Sequence, residues 1–202
     1  TVGADNYVVG LSADHGVVEP FTADLEAAEA ESLFQRVLRG DATGADIRLF
    51  RGHMLLQMAG MSVDDGLVMT LHPGVYRNHS SRTLERHGPD TGHDIPLATT
   101  FLQGLRPLLE RHGLEPGLHL ILFTVDETTF SRELAPLAGF YPSVFIGAPW
   151  WFLDAPDAID RFRSAVTETA GFYRGSGFID DTRAFLSIPA RHDTARRVDA
   201  GN

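Results

Sequence analysis

The sequence predicts an α/β fold with a parallel sheet, and more specifically part of a (β/α)8 barrel. Strand-like apolar segments alternate with helix-like segments five times along the 202 residues, which is typical of repeated β-α units. Polar residues follow all five strand-like segments, as they do on the rim of a barrel. No glycine-rich phosphate-binding fingerprint follows any of them, which counts against the doubly wound alternative.

Five β-α units make up about five of the eight that a closed barrel requires, and the barrel typically takes ~250 residues. We therefore expect residues 1–202 to be the C-terminal portion of a single barrel domain, with its N-terminal strands absent from this chain.

The first part of the chain predicts one strand and two helices. A strand over residues 7–13 precedes a helix over 23–39, for which Thr22 is the candidate N-cap and Gly40 the stop signal. A second helix is predicted over 45–61, where apolar residues recur at helical spacing.

The middle of the chain predicts a strand over 67–71 that leads directly into His72. A long polar stretch, residues 75–96, follows without a clear periodicity, and a structureless stretch of that length is usually functional or disordered. A helix over 98–111 comes next, with Gly113 closing it.

The last part predicts three strands and two helices. The strand over 118–125 is almost continuously apolar, which is expected of a strand covered on both faces. The other elements are a helix over 132–138, a strand over 143–146, a helix over 157–169 and a short strand over 177–179.

Composition excludes several classes of function. The formal charge of −10 leaves no broad cationic surface for a nucleic acid, and the absence of cysteine excludes thiolate chemistry and cysteine-based metal sites. All 17 basic residues are arginine, so Schiff-base chemistry and a P-loop lysine are excluded as well. No apolar run approaches the ~18 residues of a membrane span. We expect a cytoplasmic protein with neither a nucleic acid nor a membrane as partner.

Four polar residues beside the predicted strands are candidates for chemistry. His72 follows the second strand and Asp14 the first, while Asp181 and Arg183 lie two residues apart after the fifth. Each also has a purely structural explanation. A histidine at a strand end can bond to a loop, and an aspartate near an arginine can be a surface ion pair.

Two adjacent tryptophans, Trp150 and Trp151, follow the fourth strand. Two neighbouring indoles on a rim loop are hard to bury, because each N–H needs a hydrogen-bond partner. Since sugar rings present apolar faces that stack on indole, the pair indicates a carbohydrate substrate.

The ordered set of motifs resembles the C-terminal half of the uronate isomerases, members of the amidohydrolase superfamily. The motifs are Ser12-Ala13-Asp14-His15-Gly16, Met69-Thr70-Leu71-His72-Pro73-Gly74, Arg77-Asn78, Gly88-Pro89-Asp90-Thr91-Gly92, Pro149-Trp150-Trp151-Phe152 and Asp181-Thr182-Arg183-Ala184-Phe185-Leu186-Ser187. The resemblance implies a metal-dependent (β/α)8 barrel. It also implies an aldose–ketose isomerase that interconverts D-glucuronate with D-fructuronate and D-galacturonate with D-tagaturonate.

The resemblance also implies roles for individual residues. Catalytic residues would be Asp181, His72 and Arg183, and substrate contacts would come from Asp14, Arg183 and one of Trp150 or Trp151. Which group acts as the general base stays open.

The resemblance implies a divalent metal cofactor, expected to be zinc, with Asp181 as a ligand. The family's other ligands form a His-x-His pair, and no two of the nine histidines here are two residues apart. The implied partner is a small uronate sugar, and a homo-oligomer is left open.

Two other functions stay open at this point. One is a metal-dependent hydrolase of the same superfamily, in which Asp181 and His72 would activate water. The other is a non-catalytic carbohydrate-binding half-barrel. The tryptophan pair and Arg183 favour the isomerase over a generic hydrolase, because they suit a hydroxylated acid.

Overall fold

A four-stranded parallel sheet is the centre of the molecule, which we describe from a computed structural model for residues 11–180 and 185–201. The order of its strands is β1-β2-β5-β6, and strands β3 and β4 form a separate antiparallel pair. The elements are β1 (Ser12–Val17), α1 (Ala27–Arg39), α2 (Gly44–Asp65), β2 (Val68–Pro73), β3 (Val75–Tyr76), α3 (Ser81–His87), β4 (Ile95–Pro96), α4 (Arg106–His112), β5 (His119–Leu122), α5 (Ala135–Phe140), β6 (Val144–Ile146), α6 (Pro156–Ala170) and α7 (Ile188–Gly201). The predicted α/β class with a parallel sheet is confirmed.

The two faces of the sheet differ in what covers them. Met69, Leu71, Leu120 and Leu122 are fully buried on the face that packs against the helices. Alternate residues point to the opposite face, where His119 is exposed. The expectation that the 118–125 strand is covered on both faces is therefore wrong within the described part of the chain.

Helix α1 begins later than predicted, at Ala27, because Thr22 does not cap it. The Thr22 hydroxyl instead donates to the carbonyl of Gly104, 2.7 Å away. The helix ends as predicted at Gly40, whose φ of 78° is left-handed.

Helix α2 begins with a capping box and extends beyond the predicted 45–61 segment. The Thr43 hydroxyl accepts from the Asp46 backbone N–H, while the Asp46 carboxylate accepts from the backbone N–H of Thr43. The helix then runs to Asp65, where Gly66 adopts φ 67° and stops it.

The polar stretch over 75–96 is folded, so the expectation of a structureless segment is wrong. Strands β3 and β4 pair at its two ends, and helix α3 lies between them. The Ser80 hydroxyl accepts from the Thr83 N–H at 3.2 Å and caps α3. We call residues 75–96 the lobe.

The predicted helix over 98–111 is shorter, since α4 begins only at Arg106. Two carboxylates accept from backbone N–H groups in the segment that precedes α4. Asp126 accepts from the N–H of Thr99 at 3.0 Å, and Glu133 accepts from that of Phe101 at 2.5 Å. The helix ends at the predicted Gly113.

Residues 7–10 of the first predicted strand lie outside the described residues, and β1 continues to Val17, so Asp14 lies inside the strand and not after it. The predicted fifth strand over 177–179 is wrong, because those residues pair with no strand among the described residues. The chain meets β6 only just before that point, where Gly175 bridges Ile146. Gly177 then adopts φ 75°, which breaks the extended backbone.

Helix α7 packs on α6 through a buried ion pair. The Arg163 guanidinium donates to both carboxylate oxygens of Asp199, at 2.5 and 2.7 Å, and its side chain is only 6% exposed. In the described residues, no helix is long and apolar enough to cross a membrane.

Candidate active site

Asp14, Thr70 and His72 form a hydrogen-bonded cluster on the open face of the sheet. The parallel register places Asp14 opposite Thr70, and His72 lies two residues further along β2 on the same face. The Thr70 hydroxyl donates to Asp14 Oδ1, and His72 Nε2 lies 2.8 Å from Asp14 Oδ2. An ionised carboxylate can only accept, so Nε2 carries a proton in this pair. The cluster thus fixes the imidazole and directs its Nδ1 away from Asp14.

Gly16 makes room for the imidazole. It pairs with His72 across the β1–β2 register, and a Cβ at this position would lie 2.8 Å from His72 Cε1. Any other residue at position 16 would push the ring away from where it now lies. The Asp-His-Gly motif includes this glycine, but only the strand pairing shows that it makes room for the His72 ring.

His15 differs from His72 although both lie near the strand ends. Alternation along β1 turns its side chain to the face opposite Asp14. Burial lowers the pKa of His15, which favours the neutral imidazole at physiological pH. Its Nε2 is buried without a hydrogen-bond partner among the described residues.

Trp150 borders the cluster from the loop after β6. Its ring meets that of His72 edge-on, with centroids 5.7 Å apart, and meets Phe123 at 6.2 Å. Gly147 permits this arrangement, because a Cβ there would lie 2.3 Å from the Phe123 ring. The Trp150 indole nitrogen is buried and has no partner among the described residues.

Trp151 lies further from the cluster and is occupied by other contacts. Its ring stacks on Phe152 with centroids 4.8 Å apart, and the Arg77 guanidinium carbon lies 4.7 Å from its centroid. The two indoles are 5.5 Å apart. Of the two tryptophans, it is Trp150 that the structure places beside His72.

An ionic network in the lobe holds Arg77. Its guanidinium donates to Asp94 at 2.9 Å and lies 3.7 Å from Asp90. The backbone N–H of Asn78 and the Arg77 guanidinium together lower the pKa of Asp94. The candidate catalytic and binding residues inferred from the sequence do not include Arg77, Asp94 or Thr70. Arg77 and Thr70 lie within two of the motifs that carry the family resemblance, whereas the only signal for Asp94 was its place in the polar stretch.

Asp181 and Arg183 lie outside the described residues, and Asp180, which precedes them, contacts α7. Arg191 lies 3.2 Å from the carboxylate of Asp180, whose side chain is 2% exposed. Arg191 also donates to Asp154, which follows residues 147–153, the tryptophan loop. One arginine thus joins the loop after β6 to the segment that leads into position 181.

The described residues do not form a metal centre by themselves. No three histidine or acidic side chains among them are grouped so that they could hold an ion. Asp14 and His72 are the two candidate ligands at the open face, and they bond to each other.

Comparison with known proteins identifies close relatives. The family model for glucuronate isomerase matches residues 7–201. The uronate isomerase of Sphingopyxis alaskensis is 60% identical over 190 residues, and that of Xanthomonas axonopodis pv. citri is 58% identical over 189 residues. Each alignment covers 94% of this chain but only 40% of the relative.

Solved structures show the same relationship. The glucuronate isomerase from Caulobacter crescentus matches with a TM-score of 0.90 at 58% identity, over 94% of this chain and 40% of that chain. The uronate isomerase from Thermotoga maritima matches with a TM-score of 0.85 at 27% identity, over 93% and 42% of the two chains. The predicted fold, part of a barrel, and the resemblance drawn from the motifs are both confirmed.

Proposed function

This chain belongs to the glucuronate isomerase family, and we propose that it forms part of an enzyme that interconverts aldo- and keto-uronates. The substrates proposed are D-glucuronate with D-fructuronate and D-galacturonate with D-tagaturonate. Since the chain spans 40% of the length of its curated relatives, the activity is proposed for the complete protein. We also propose that residues 1–202 are the C-terminal portion of its barrel, because the motifs resemble the C-terminal half of the uronate isomerases.

The observation that carries this proposal is the imidazole of His72 held by Asp14 on the open face of the sheet. Aldose–ketose isomerisation moves a hydrogen between C2 and C1 of the sugar, which requires a group that exchanges protons near neutral pH. Histidine is suited to this, because its ordinary pKa lies near 6.5. With Nε2 engaged by Asp14, His72 Nδ1 is the atom we assign to proton exchange with the substrate.

The surroundings of His72 suit a sugar acid. Trp150 presents an aromatic surface beside the imidazole, on which the apolar face of a sugar can stack. We propose that Arg183 binds the uronate carboxylate, because the planar guanidinium matches a carboxylate with two hydrogen bonds. Asp14 would contact the substrate through its exposed side, since its side chain is 63% exposed.

We propose that Asp181 contributes to catalysis as a ligand of a divalent metal, zinc, together with histidines that this chain does not contain. A divalent metal bound there would supply polarisation of a carbonyl or hydroxyl oxygen. We further propose a cytoplasmic location and a small uronate sugar as the partner, with neither a nucleic acid nor a membrane involved.

Membership of the isomerase family favours isomerisation over the hydrolase that the residues alone left open. An experiment distinguishes the isomerase from the non-catalytic carbohydrate-binding alternative. The complete protein, purified with its metal, is incubated with D-glucuronate or D-galacturonate, and the ketose is followed by NMR. We expect ketose from at least one uronate and a loss of about 100-fold or more in kcat for His72→Asn. A folded protein that binds the sugar without forming ketose would refute the proposal.

A further inference from the structure

Three non-glycine residues among those described have a left-handed backbone, and all three lie in or against one small network. They are Asn78 with φ 55°, Asp90 with φ 58° and Trp151 with φ 56°. Asparagine and aspartate adopt this conformation more readily than other residues, whereas for a bulky residue such as tryptophan it is a genuine outlier. Backbone strain of this kind persists only where the surroundings impose it.

Arg77 is the residue that connects the three. It precedes Asn78, its guanidinium lies 3.7 Å from Asp90, and the same guanidinium covers the Trp151 ring at 4.7 Å. Asp94 forms hydrogen bonds with both Arg77 and Asn78. Its carboxylate accepts from Arg77 at 2.9 Å and from the Asn78 backbone N–H at 2.8 Å.

The carboxylate of Asp94 is well placed to immobilise the arginine. Its side chain is only 8% exposed, and the pKa of Asp94 is lowered by the Asn78 N–H and by Arg77, so it stays ionised at neutral pH. A buried carboxylate needs a cation beside it, because an unpaired charge there is costly. The planar guanidinium in turn stacks on an aromatic face as a lysine ammonium does not.

The network continues from Trp151 to the candidate active site. The Trp151 ring is 5.5 Å from that of Trp150, which meets the His72 ring at 5.7 Å. The Arg77 guanidinium thus links the lobe to the tryptophan pair.

We propose that Arg77 is a positioning residue, and that its ion pairs with the lobe hold the Trp150–Trp151 pair in place beside His72 as the surface on which the sugar stacks. This inference rests on the proposed function for the identity of the sugar. It does not rest on it for the role of Arg77 in holding the tryptophans.

The test compares Arg77→Gln, Arg77→Lys and the control Arg82→Gln in the complete protein. Arg82 is exposed on the same lobe and makes no ion pair among the described residues. Near-UV circular dichroism reports on the tryptophan pair, and the signal is assigned by the difference between parent and Trp151→Phe. Values of KM and kcat for D-glucuronate and the melting temperature are measured on the same preparations.

We expect Arg77→Gln to lose most of the assigned dichroism and to raise KM about tenfold, with kcat within about threefold of the parent. Stacking on the sugar acts equally in the ground state and the transition state, and therefore appears in KM. Arg77→Lys should have the melting temperature of the parent, because lysine can pair with Asp94. Its dichroism and KM should stay different from those of the parent. Arg82→Gln should match the parent in all four measurements.

An Arg77→Gln protein with the parent dichroism and KM would overturn the proposal. So would full recovery of both by Arg77→Lys, because charge alone would then suffice. If Arg77→Gln does not fold, Asp94→Asn decides in its place, since the amide oxygen can still accept from the Asn78 N–H. If the protein turns over no uronate, the proposed function fails, and the dichroism still decides the role of Arg77.

Discussion

Substitution of Gly16 by alanine tests whether the position of the His72 ring matters for activity. The added Cβ would lie 2.8 Å from His72 Cε1, whereas ordinary van der Waals contact begins at 3.4 Å. The ring must therefore retreat by about 0.6 Å, since the strand backbone around position 16 is held by its pairing with β2. This movement disturbs the 2.8 Å hydrogen bond to Asp14.

The effect on catalysis should be much larger than the effect on stability. A misplacement of about 1 Å can cost about 100-fold in rate, so we expect kcat/KM to fall by about 10- to 100-fold, or about 1.4–2.7 kcal/mol of transition-state stabilisation. The weakened hydrogen bond costs about 0.5–1.5 kcal/mol of folding free energy, and replacing a glycine within a strand returns about 0.5–1 kcal/mol. The net change in stability should be about 1 kcal/mol or less.

The assay measures kcat/KM for D-glucuronate and the free energy of unfolding on the complete protein. Gly44→Ala is the matched control, because a Cβ there meets nothing within 4 Å. A Gly16→Ala enzyme within twofold of both the parent and the control would refute the reasoning. It would show either that the ring relaxes freely or that His72 is not catalytic.

Three further predictions concern stability. Arg174→Gln should lose about 2–3 kcal/mol of unfolding free energy, because the guanidinium donates to four backbone carbonyls around the end of α5 and the edge strand β6; an unchanged urea midpoint would contradict this. Arg36 and the capping hydrogen bonds at the start of α2 lower the pKa of Asp46 to about 2, below its unfolded value, so its stabilisation is present above about pH 4 and is lost as the pH falls through about 2. Asp46→Asn should accordingly lower the melting temperature at pH 7. The difference in melting temperature between variant and parent should shrink as the pH falls from about 4 to about 2. If that difference stays the same at every pH, the carboxylate is excluded as its cause. Asp199→Ala should cost about 3–5 kcal/mol by leaving Arg163 buried without its partner, and a double variant that also carries Arg163→Met should recover most of that loss.

The sequence predicted the parts of the structure that local physics controls. The strands β2, β5 and β6 lie within or close to the predicted segments, since apolar patterning reports burial directly. Helix α1 ends at the predicted Gly40, because a residue without a Cβ adopts the left-handed stop most readily. The largest errors are the predicted strand over 177–179, the missing structure of the lobe and the early start given to the helix that ends at Gly113, all of which depend on contacts between distant segments.

The candidate site also has a part that the sequence predicted and a part that it did not. Sequence motifs alone identified Asp14, His72 and the tryptophan pair, together with Asp181 and Arg183, which lie outside the described residues. Their functional roles stay predictions. The motifs did not distinguish Trp150 from Trp151, and they gave the lobe no structure.

The sequence by itself therefore determined the fold class, the family and a short set of candidate residues. Only the tertiary structure decided that Asp14 bonds to His72, 58 residues away, that Gly16 makes room for the ring and that Arg77 meets Trp151. The physical reason is that patterning and motifs are local properties of the chain. Strand register and side-chain contacts depend on which distant segments pack together, and no residue encodes them alone.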